Sequence, residues 1–317
     1  MRLSARMQKK QWHIFPVLPR SAELAAELKI SPLLAQVLYN RQVQTVEQAK
    51  IFLNPKLSDL IEPELMPGIT AAVDRIEKAV KQKQKITIYG DYDVDGIAAV
   101  SILLGLFRLI GVPVDYYIPH RIDEGYGLNV EAIEHIAESG SNLIISVDCG
   151  ITAFDAAPAA REKGMDLIIT DHHRPSPDGL RPEAIAIVHP NLDPNYPCQY
   201  SSGAAVAFKL AWAVINRLKG TATTPQHLRQ FLINATIFAA MGTIADVVDL
   251  RGENRIISSF GLRALADSNL PGIEALINAA GIKGQAIDSF HMGYCLAPIL
   301  NAAGRMGHSR LAVELLT

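Results

Sequence analysis

The chain has 317 residues, of which 49% are hydrophobic and 20% charged, and its formal net charge is -2. This balance excludes a disordered or fibrous chain, and the small net charge argues against a protein that binds nucleic acid over its whole surface. Three cysteines without CxxC spacing argue against a disulfide framework or a zinc site and favour a reducing compartment: Cys149, Cys198 and Cys295.

Nothing in the sequence suggests a membrane protein. The N-terminal stretch MRLSARMQKKQWHIF is basic but lacks the apolar run of a secretory signal. The later apolar run from Ile97 to Ile110 is too short to span a bilayer and carries Arg108. We therefore expect a cytoplasmic protein that makes no use of a membrane.

Along the chain, helical patterns alternate with loops over residues 1–69, which predicts an N-terminal helical cap. From residue 70 helices alternate with short strands rich in Ile and Val, and this pattern predicts βαβ units. The predicted strands are Lys85–Gly90, Val114–Ile118, Leu143–Val147 and Leu167–Thr170. Strands that are apolar on both faces indicate a parallel sheet that helices cover on both sides.

The predicted fold class is therefore α/β, with a catalytic domain over residues 70–250. Long apolar-periodic stretches at 203–219, 225–242 and 253–267 predict helices after the sheet. Residues 251–317 are expected to form a mostly helical segment that ends in a connecting helix.

Three predicted strands run directly into residues that can bind metal ions. The first leads into Asp91, Asp93 and Asp95, the next into Asp148, and the last into Asp171-His172-His173. Ligands in open parallel sheets bind beyond the carboxyl ends of the strands. The sequence therefore predicts that all three clusters meet at one rim of the sheet.

The acidic turn after the first strand can be interpreted in two ways. Carboxylates at alternate positions repel one another unless cations lie between them, and hard divalent ions such as Mg²⁺ or Mn²⁺ take oxygen ligands. The alternative is a solvated turn in which Asp95 caps a helix and Gly96 allows the bend. Asp148 alone would similarly suit a cap or turn residue.

The adjacent His172 and His173 add nitrogen ligands, and a mixed set of imidazoles and carboxylates suits Mn²⁺. The simpler alternative is a pair of surface histidines in a polar loop. Asp246 follows a strongly apolar helix, where a buried acid is costly unless it is paired or bound to metal. For Asp249 we favour a simple cap of the next helix.

The ordered segments DYDVDG, VDCG, DHH and GTIADVVDL resemble the four signature motifs of the DHH phosphoesterase superfamily. Within it, NAAGRMG (Asn301–Gly307) and EGYGL (Glu124–Leu128) are similar to the RecJ family of bacterial single-strand-specific exonucleases. The resemblance runs from about Ile86 to the end of the chain.

The resemblance implies two divalent cations, Mn²⁺ or Mg²⁺. It implies that Asp93 ligates one ion and Asp95 the other, that Asp148 bridges them, and that His172 and Asp246 complete the second site. Asp91 would lie beside the first. The resemblance also implies that four further residues face the scissile phosphate or bind the DNA: His173, Arg121, Asn301 and Arg305.

The sequence departs from the family pattern in two respects. Manganese pyrophosphatases of the superfamily carry a His four residues before the first ligand, where this chain has Tyr89. RecJ-like chains also continue into a DHH-associated domain and an OB fold, whereas this chain ends at Thr317. We expect the catalytic lobe without the domains that complete DNA capture, and weaker DNA binding than for a longer chain.

The resemblance further implies 5′-to-3′ hydrolysis of single-stranded DNA to 5′-mononucleotides, in DNA repair and recombination, by a monomer. Single-strand-binding protein and a helicase are the partners it suggests. A narrow groove lined by Tyr116, Tyr117 and Tyr126 could favour single strands, although packing is the better interpretation for the first two. Cys149 is expected to be a packed residue, not a nucleophile.

Two rival functions stay open. One is a DHH phosphodiesterase that acts on nanoRNA or cyclic dinucleotides. The other is an inactive scaffold related to a replicative-helicase component, which should have lost metal ligands, whereas every expected position is filled here.

Overall fold

The computed structural model of the chain describes residues 11–121, 123–125, 127–220 and 222–317. These residues divide into two compact units, one that extends to Pro55 and one that spans Lys56–Thr317. The boundaries predicted from the sequence at 69/70 and 250/251 stay predictions.

The first unit consists of three helices: α1 (Ser21–Leu28), α2 (Pro32–Asn40) and α3 (Val46–Leu53). Local sequence explains where two of them begin. The Ser31 side chain accepts a hydrogen bond from Leu34 N at 3.2 Å and Pro32 follows it, a favoured order at a helix start. Thr45 and Gln48 form a capping box at the start of α3.

The second unit is built on a five-stranded sheet in the order β2-β1-β3-β4-β5, and every neighbouring pair is parallel. The strands are β1 (Ile86–Gly90), β2 (Val114–Tyr117), β3 (Leu143–Val147), β4 (Asp166–Thr170) and β5 (Ala186–Val188). The predicted α/β class is confirmed. The last strand was not predicted, because three residues are too few to show a periodicity.

Helices precede, connect and follow these strands. They are α4 (Ile69–Lys81), α5 (Val94–Leu109), α6 (Val130–Glu138), α7 (Ala156–Glu162), α8 (Gly203–Lys219), α9 (Gln226–Ala245), α10 (Gly252–Ala266), α11 (Pro271–Ala279), α12 (Ser289–His291), a π-helix (Met292–Leu296), α13 (Ala297–Arg305) and α14 (Ser309–Leu316). Short 3-10 turns lie at Leu57–Asp59, Pro63–Leu65 and Pro190–Leu192.

Alternating residues of each strand point into two separate cores. On one face Ile88, Ile145 and Ile168 pack with α4, α5, α8 and α9. On the other face Ile144 and Ile169 pack with α6 and α7. This period of two explains why the strands are apolar throughout.

Within the described part of the chain, α9 is the one helix long and apolar enough to cross a membrane. Most of it is buried, and it packs against α5, α8 and α10. This burial is that of a core helix, and it makes α9 the scaffold on which Asp246 is placed.

Candidate metal centre

The carboxyl ends of β1, β3 and β4 lie level with one another. Gly90 pairs with Val147, and Val147 pairs with Thr170. The residues that come next are Asp91, Asp148 and Asp171. The predicted common rim is therefore present, and it lies where the chain winding reverses between β1 and β3, the usual ligand position in such sheets.

Seven acidic and imidazole side chains converge at this rim. Their ligand atoms fall into overlapping groups, each with all atoms within 4.8 Å of one another. The groups are Asp91–Asp93–Asp148, Asp95–His172–Asp246 and Asp148–His172–His173. Every residue that the sequence proposed as a metal ligand belongs to at least one group.

His172 lies between the carboxylates. Its Nε2 atom is 3.0 Å from Asp148 Oδ1, 3.7 Å from Asp95 Oδ2 and 3.8 Å from Asp246 Oδ2. Asp246 directly follows α9, so this helix brings a carboxylate to the rim from outside the sheet. His172 therefore links the sheet residues to a residue that no strand supplies.

Asp93 and Asp95 are held by two different helix starts. Asp93 Oδ1 accepts hydrogen bonds from Asp95 N at 2.9 Å and Gly96 N at 3.0 Å, so Asp93 caps α5. The alternative in which Asp95 is the cap is wrong. The Asp95 carboxylate instead accepts from Gly203 N at 2.6 Å and Ala204 N at 2.9 Å, at the positive end of α8.

Two glycines make room for these carboxylates. A Cβ atom at Gly203 would lie 2.5 Å from Asp148 Cβ. A Cβ atom at Gly242, in α9, would overlap Asp95 Oδ1 and lie 2.6 Å from Ala204 Cβ. Any residue other than glycine at these two positions would therefore collide with the buried carboxylates.

Backbone strain is stored beside the same carboxylates. Asp148 and Val247 have φ values of 59°, in the left-handed region that L-residues rarely adopt. For Val247, which is β-branched, this conformation is especially unfavourable, and such positions cost about 1–3 kcal/mol each. The surrounding fold therefore forces the backbone that carries Asp148 and follows Asp246.

Asp171 positions the two histidines, a role that the sequence did not reveal. Its Oδ1 accepts from His172 N at 2.7 Å, His173 N at 3.0 Å and His173 Nδ1 at 2.8 Å, and its Oδ2 accepts from Ile151 N at 2.9 Å. Burial raises the pKa of Asp171, but bonds from His173 and Ile151 outweigh it and the pKa is lowered. The side-chain hydrogen bond between Asp171 and His173 raises the pKa of His173.

His189 was also missed, because a lone His between Val188 and Pro190 carries no sequence signal. It is fully buried and its Nδ1 accepts from Asn191 N at 3.1 Å. The other ring nitrogen must then carry the proton, and Nε2 donates to the backbone oxygen of His173 at 2.7 Å. His189 thereby fixes the backbone of the two-histidine loop.

The crowding of buried carboxylates in the cluster favours the binding of cations. Burial, followed by repulsion from Asp93, raises the pKa of Asp91 to about 7, and burial raises the pKa of Asp95 to about 6. Burial and the neighbouring Asp95 and Asp93 raise the pKa of Asp148 well above its usual range. Buried Asp91 Oδ1 has no hydrogen-bond partner among the described residues. Oxygen and imidazole donors of this kind fit Mn²⁺ or Mg²⁺.

A family model matches part of the chain that forms this rim. Residues 85–237 match the DHH family, N-terminal domain. This part of the chain is therefore similar to a DHH domain. The match spans β1 to β5 together with α8, so it includes the strand ends that carry the cluster.

Curated relatives extend the DHH match toward the C-terminus. The chain is 42% identical over 310 residues to the single-stranded-DNA-specific exonuclease RecJ of Bacillus subtilis, covering 97% of this chain and 38% of that protein. It is 34% identical to the Escherichia coli protein of the same name, covering 93% of this chain and 51% of that protein. The chain thus spans about half or less of the length of these relatives.

Solved structures agree with the DHH assignment. The Mn²⁺ complex of RecJ from Thermus thermophilus superposes with a TM-score of 0.78 at 32% identity, over 95% of this chain and 41% of that one. A structure of exonuclease RecJ bound to manganese gives a TM-score of 0.70 at 35% identity, over 79% and 61% of the two chains.

The segments proposed to bind phosphate lie against the first DHH motif. Asn301 Oδ1 accepts from Val94 N at 3.2 Å, and α13 approaches so closely that a Cβ at Gly304 would overlap the Tyr92 carbonyl oxygen. The Arg121 guanidinium lies 5.0 Å from the centre of the Tyr92 ring. Arg305 is exposed at the end of α13. Tyr126 lies outside the described residues.

The remaining sequence interpretations concern packing. Tyr89 is buried, donates from its hydroxyl to Gly127 O at 2.8 Å and stacks on Tyr117. An aromatic core residue therefore occupies the position at which the sequence comparison expects a His in manganese pyrophosphatases. Burial raises the pKa of the Cys149 thiol, which suits a packed residue. The interpretation of Asp249 as a helix cap is wrong: the cap residue of α10 is Arg251, no described side chain caps this helix, and Asp249 accepts from Arg251 Nε at 2.7 Å.

Crowding of acids in this candidate metal centre predicts how stability depends on pH. Without metal, the melting temperature should fall between pH 5 and pH 8. Asp91 titrates near 4 when unfolded but at about 7 when folded, so its stabilising contribution is complete at low pH and is lost as the pH rises through 7. Mn²⁺ competes with these protons and should stabilise the protein more at pH 8 than at pH 5.

Thermal melts of the metal-free wild type and of Asp91→Asn check this. The variant should show a shallower fall with pH, because it lacks the titrating carboxyl. His189 acts in the opposite direction, since burial lowers its pKa, but it is common to both proteins. Equal pH slopes for the two proteins would contradict the assignment.

Proposed function

We propose that this chain is the catalytic part of a metal-dependent exonuclease that hydrolyses single-stranded DNA from the 5′ end and releases 5′-mononucleotides. The observation that carries this proposal is the convergence of Asp91, Asp93, Asp95, Asp148, His172 and Asp246 at one rim. The names of its relatives support the substrate, and two of the similar structures contain Mn²⁺.

Two divalent cations, Mn²⁺ or Mg²⁺, would be held by two of the groups. Asp91, Asp93 and Asp148 would hold one, and Asp95, His172 and Asp246 the other, with Asp148 between them. The distance of 3.0 Å from His172 to Asp148 supports a link of this kind. When bound, the two ions would supply an acidified water and neutralise charge on the phosphate.

The protein side chains would position the substrate and handle protons. His173, whose raised pKa follows from its bond to Asp171, would hold a proton toward the scissile phosphate. Asn301, Arg305 and Arg121 would bind phosphate oxygens, since their segments lie against the turn that carries Asp93. Rigid support from Asp171 and His189 would keep the two histidines in place.

The biological setting is proposed from the resemblance to the RecJ family. We infer a role in DNA repair and recombination, in the cytoplasm and as a monomer, with single-strand-binding protein and a helicase as partners. The proposed function does not involve a membrane.

A substrate panel tests the proposal. The chain, loaded with Mn²⁺, is given a 5′-phosphorylated single strand, the same sequence as a duplex, a linear RNA dinucleotide and a cyclic dinucleotide. We expect 5′-mononucleotides from the single strand, with a label at the 5′ end released first and little reaction with the duplex. Reaction with the dinucleotides alone would instead favour the rival phosphodiesterase, and no metal-dependent hydrolysis would favour the scaffold.

A further inference from the structure

Two aromatic rings outside the metal centre stack on each other at the surface. Phe290 and Tyr294 have ring centroids 5.0 Å apart and an interplanar angle of 27°. Phe290 is 59% exposed and Tyr294 is 75% exposed. Large aromatic side chains so open to water contribute little to folding, and neither ring has a part in the chemistry proposed above.

The pair lies on a helical stretch that leads directly to the centre. Tyr294 is within the π-helix Met292–Leu296, which continues into α13. Asn301, seven residues further, accepts the hydrogen bond from Val94 N at the start of α5. At 1.5 Å per residue this is a separation of about 10 Å along the axis.

A second contact ties the same stretch to the other side of the centre. A Cβ atom at Gly293 would be in van der Waals contact with Ile244 Cγ2, at 3.9 Å. Ile244 lies one residue before the end of α9, and Asp246 follows that helix. The π-helix that carries Tyr294 thus packs near the end of the helix that supplies one of the clustered carboxylates. Isolated π-helical turns are frequent at functional sites.

The charge of the stretch indicates what would lie on it. Residues 289–310 include Arg305, Arg310 and two histidines and contain no Asp or Glu, although the whole chain has a net charge of -2. Asp288 and Glu314, just outside this stretch, pair with His291 and Arg310, so Arg305 is the cation of the stretch that the proposed function places at phosphate. Flat exposed rings suit the faces of unpaired bases.

We propose that Phe290 and Tyr294 form a stacking platform for nucleobases of the single strand whose phosphate lies at the metal centre. The inference rests on the proposed function and adds a base-binding subsite to it. Stacking of this kind does not depend on sequence, because every base has a π-face. It requires unpaired bases, so the platform also contributes to the preference for single strands over duplex.

The test compares substitutions that keep or remove the ring with DNA that keeps or lacks the base. Tyr294→Phe keeps the ring, Tyr294→Leu replaces it with an aliphatic group, and Phe290→Leu does the same at its partner. The probes are 5′-phosphorylated oligothymidylates with one abasic residue at each of the first six positions in turn. Binding is followed by fluorescence anisotropy, and hydrolysis with Mn²⁺ gives kcat and KM.

On intact DNA, Tyr294→Leu and Phe290→Leu should each weaken binding and raise KM about 5- to 100-fold with little change in kcat, while Tyr294→Phe should behave as the wild type. On the one or two probes whose abasic residue lies at the platform, the affinity of the wild type should fall by the same factor. The affinity of the leucine variants should not fall any further on those probes.

Wild-type affinity in both leucine variants, or an equal loss on every abasic probe, would overturn the platform. A wild-type chain that binds the probes with the expected dependence on the abasic position but hydrolyses none of them would overturn the proposed function and leave the platform standing. A wild-type chain that neither binds nor cleaves the oligonucleotides would overturn both.

Discussion

Replacing Asp148 by Asn is expected to reduce Mn²⁺-dependent hydrolysis of single-stranded DNA about 1000-fold or more. Asp148 is at the centre of the cluster, 3.0 Å from His172 Nε2, and belongs to two of the three donor groups. An amide keeps the shape of the side chain but removes the charge that two cations would share. The loss should appear in kcat and in metal affinity together.

The same substitution should leave the metal-free protein at least as stable as the wild type. Burial and neighbouring acids raise the pKa of Asp148, so the charged form is unfavourable in the fold. Its φ of 59° also suits Asn, which adopts the left-handed region more readily than most residues. A catalytic loss without a loss of stability would distinguish a metal ligand from a structural acid.

Asp249→Asn is the matched control, because Asp249 is three residues beyond Asp246 but its side chain bonds to Arg251. It should retain hydrolysis and the rise in melting temperature on addition of Mn²⁺. The Asp148 variant should show neither. An Asp148 variant that keeps its Mn²⁺-induced stabilisation would contradict the proposed site.

Gly242→Ala is expected to lower stability by about 3 kcal/mol and to abolish stabilisation by Mn²⁺. Glycine to alanine inside a helix is ordinarily favourable by up to about 1 kcal/mol. Here the added methyl group would overlap Asp95 Oδ1 and press on Ala204, at the start of the helix that binds Asp95. The helix preference is therefore outweighed by displacement of a buried carboxylate.

Gly105→Ala is the control within another buried helix, α5. Its added methyl group would meet only the ring of the half-buried Phe231, at 3.3 Å, and a side chain can shift. We expect its stability to lie within about 1 kcal/mol of the wild type and its response to Mn²⁺ to be unchanged. Denaturant melts with and without Mn²⁺ compare the two variants. A Gly242 variant that responds normally to Mn²⁺ would show that the centre tolerates a shift of Asp95.

Much of the fold could be predicted from sequence because its determinants are local. Runs such as Leu143–Val147 are apolar throughout, which indicates a strand buried on both faces, and β3 has these bounds. The start of α5 could not be read from periodicity, since its cap is Asp93, and a cap is set by bonds to backbone amides. The three-residue β5 has a strand conformation only because it pairs with β4.

The donor residues of the centre could also be named from sequence, since each lies just after a strand or an apolar helix. Their supports could not. Asp171 appeared to be one more possible ligand, and only the fold shows that its oxygens accept four hydrogen bonds. His189 had no recognisable pattern, because its role depends on a contact with a residue sixteen positions earlier.

The sequence by itself determined the α/β class, the common rim and the identity of the clustered acids and histidines. This was possible because the metal-capable residues lie within a few positions of the strand and helix ends in the sequence. The tertiary structure decided how those groups are held. Asp95 binds the start of α8 more than a hundred residues away, Gly242 leaves room for it, and Phe290 with Tyr294 remains at the surface. These features arise from close packing between distant elements, and packing at that range leaves no periodic trace in a single sequence.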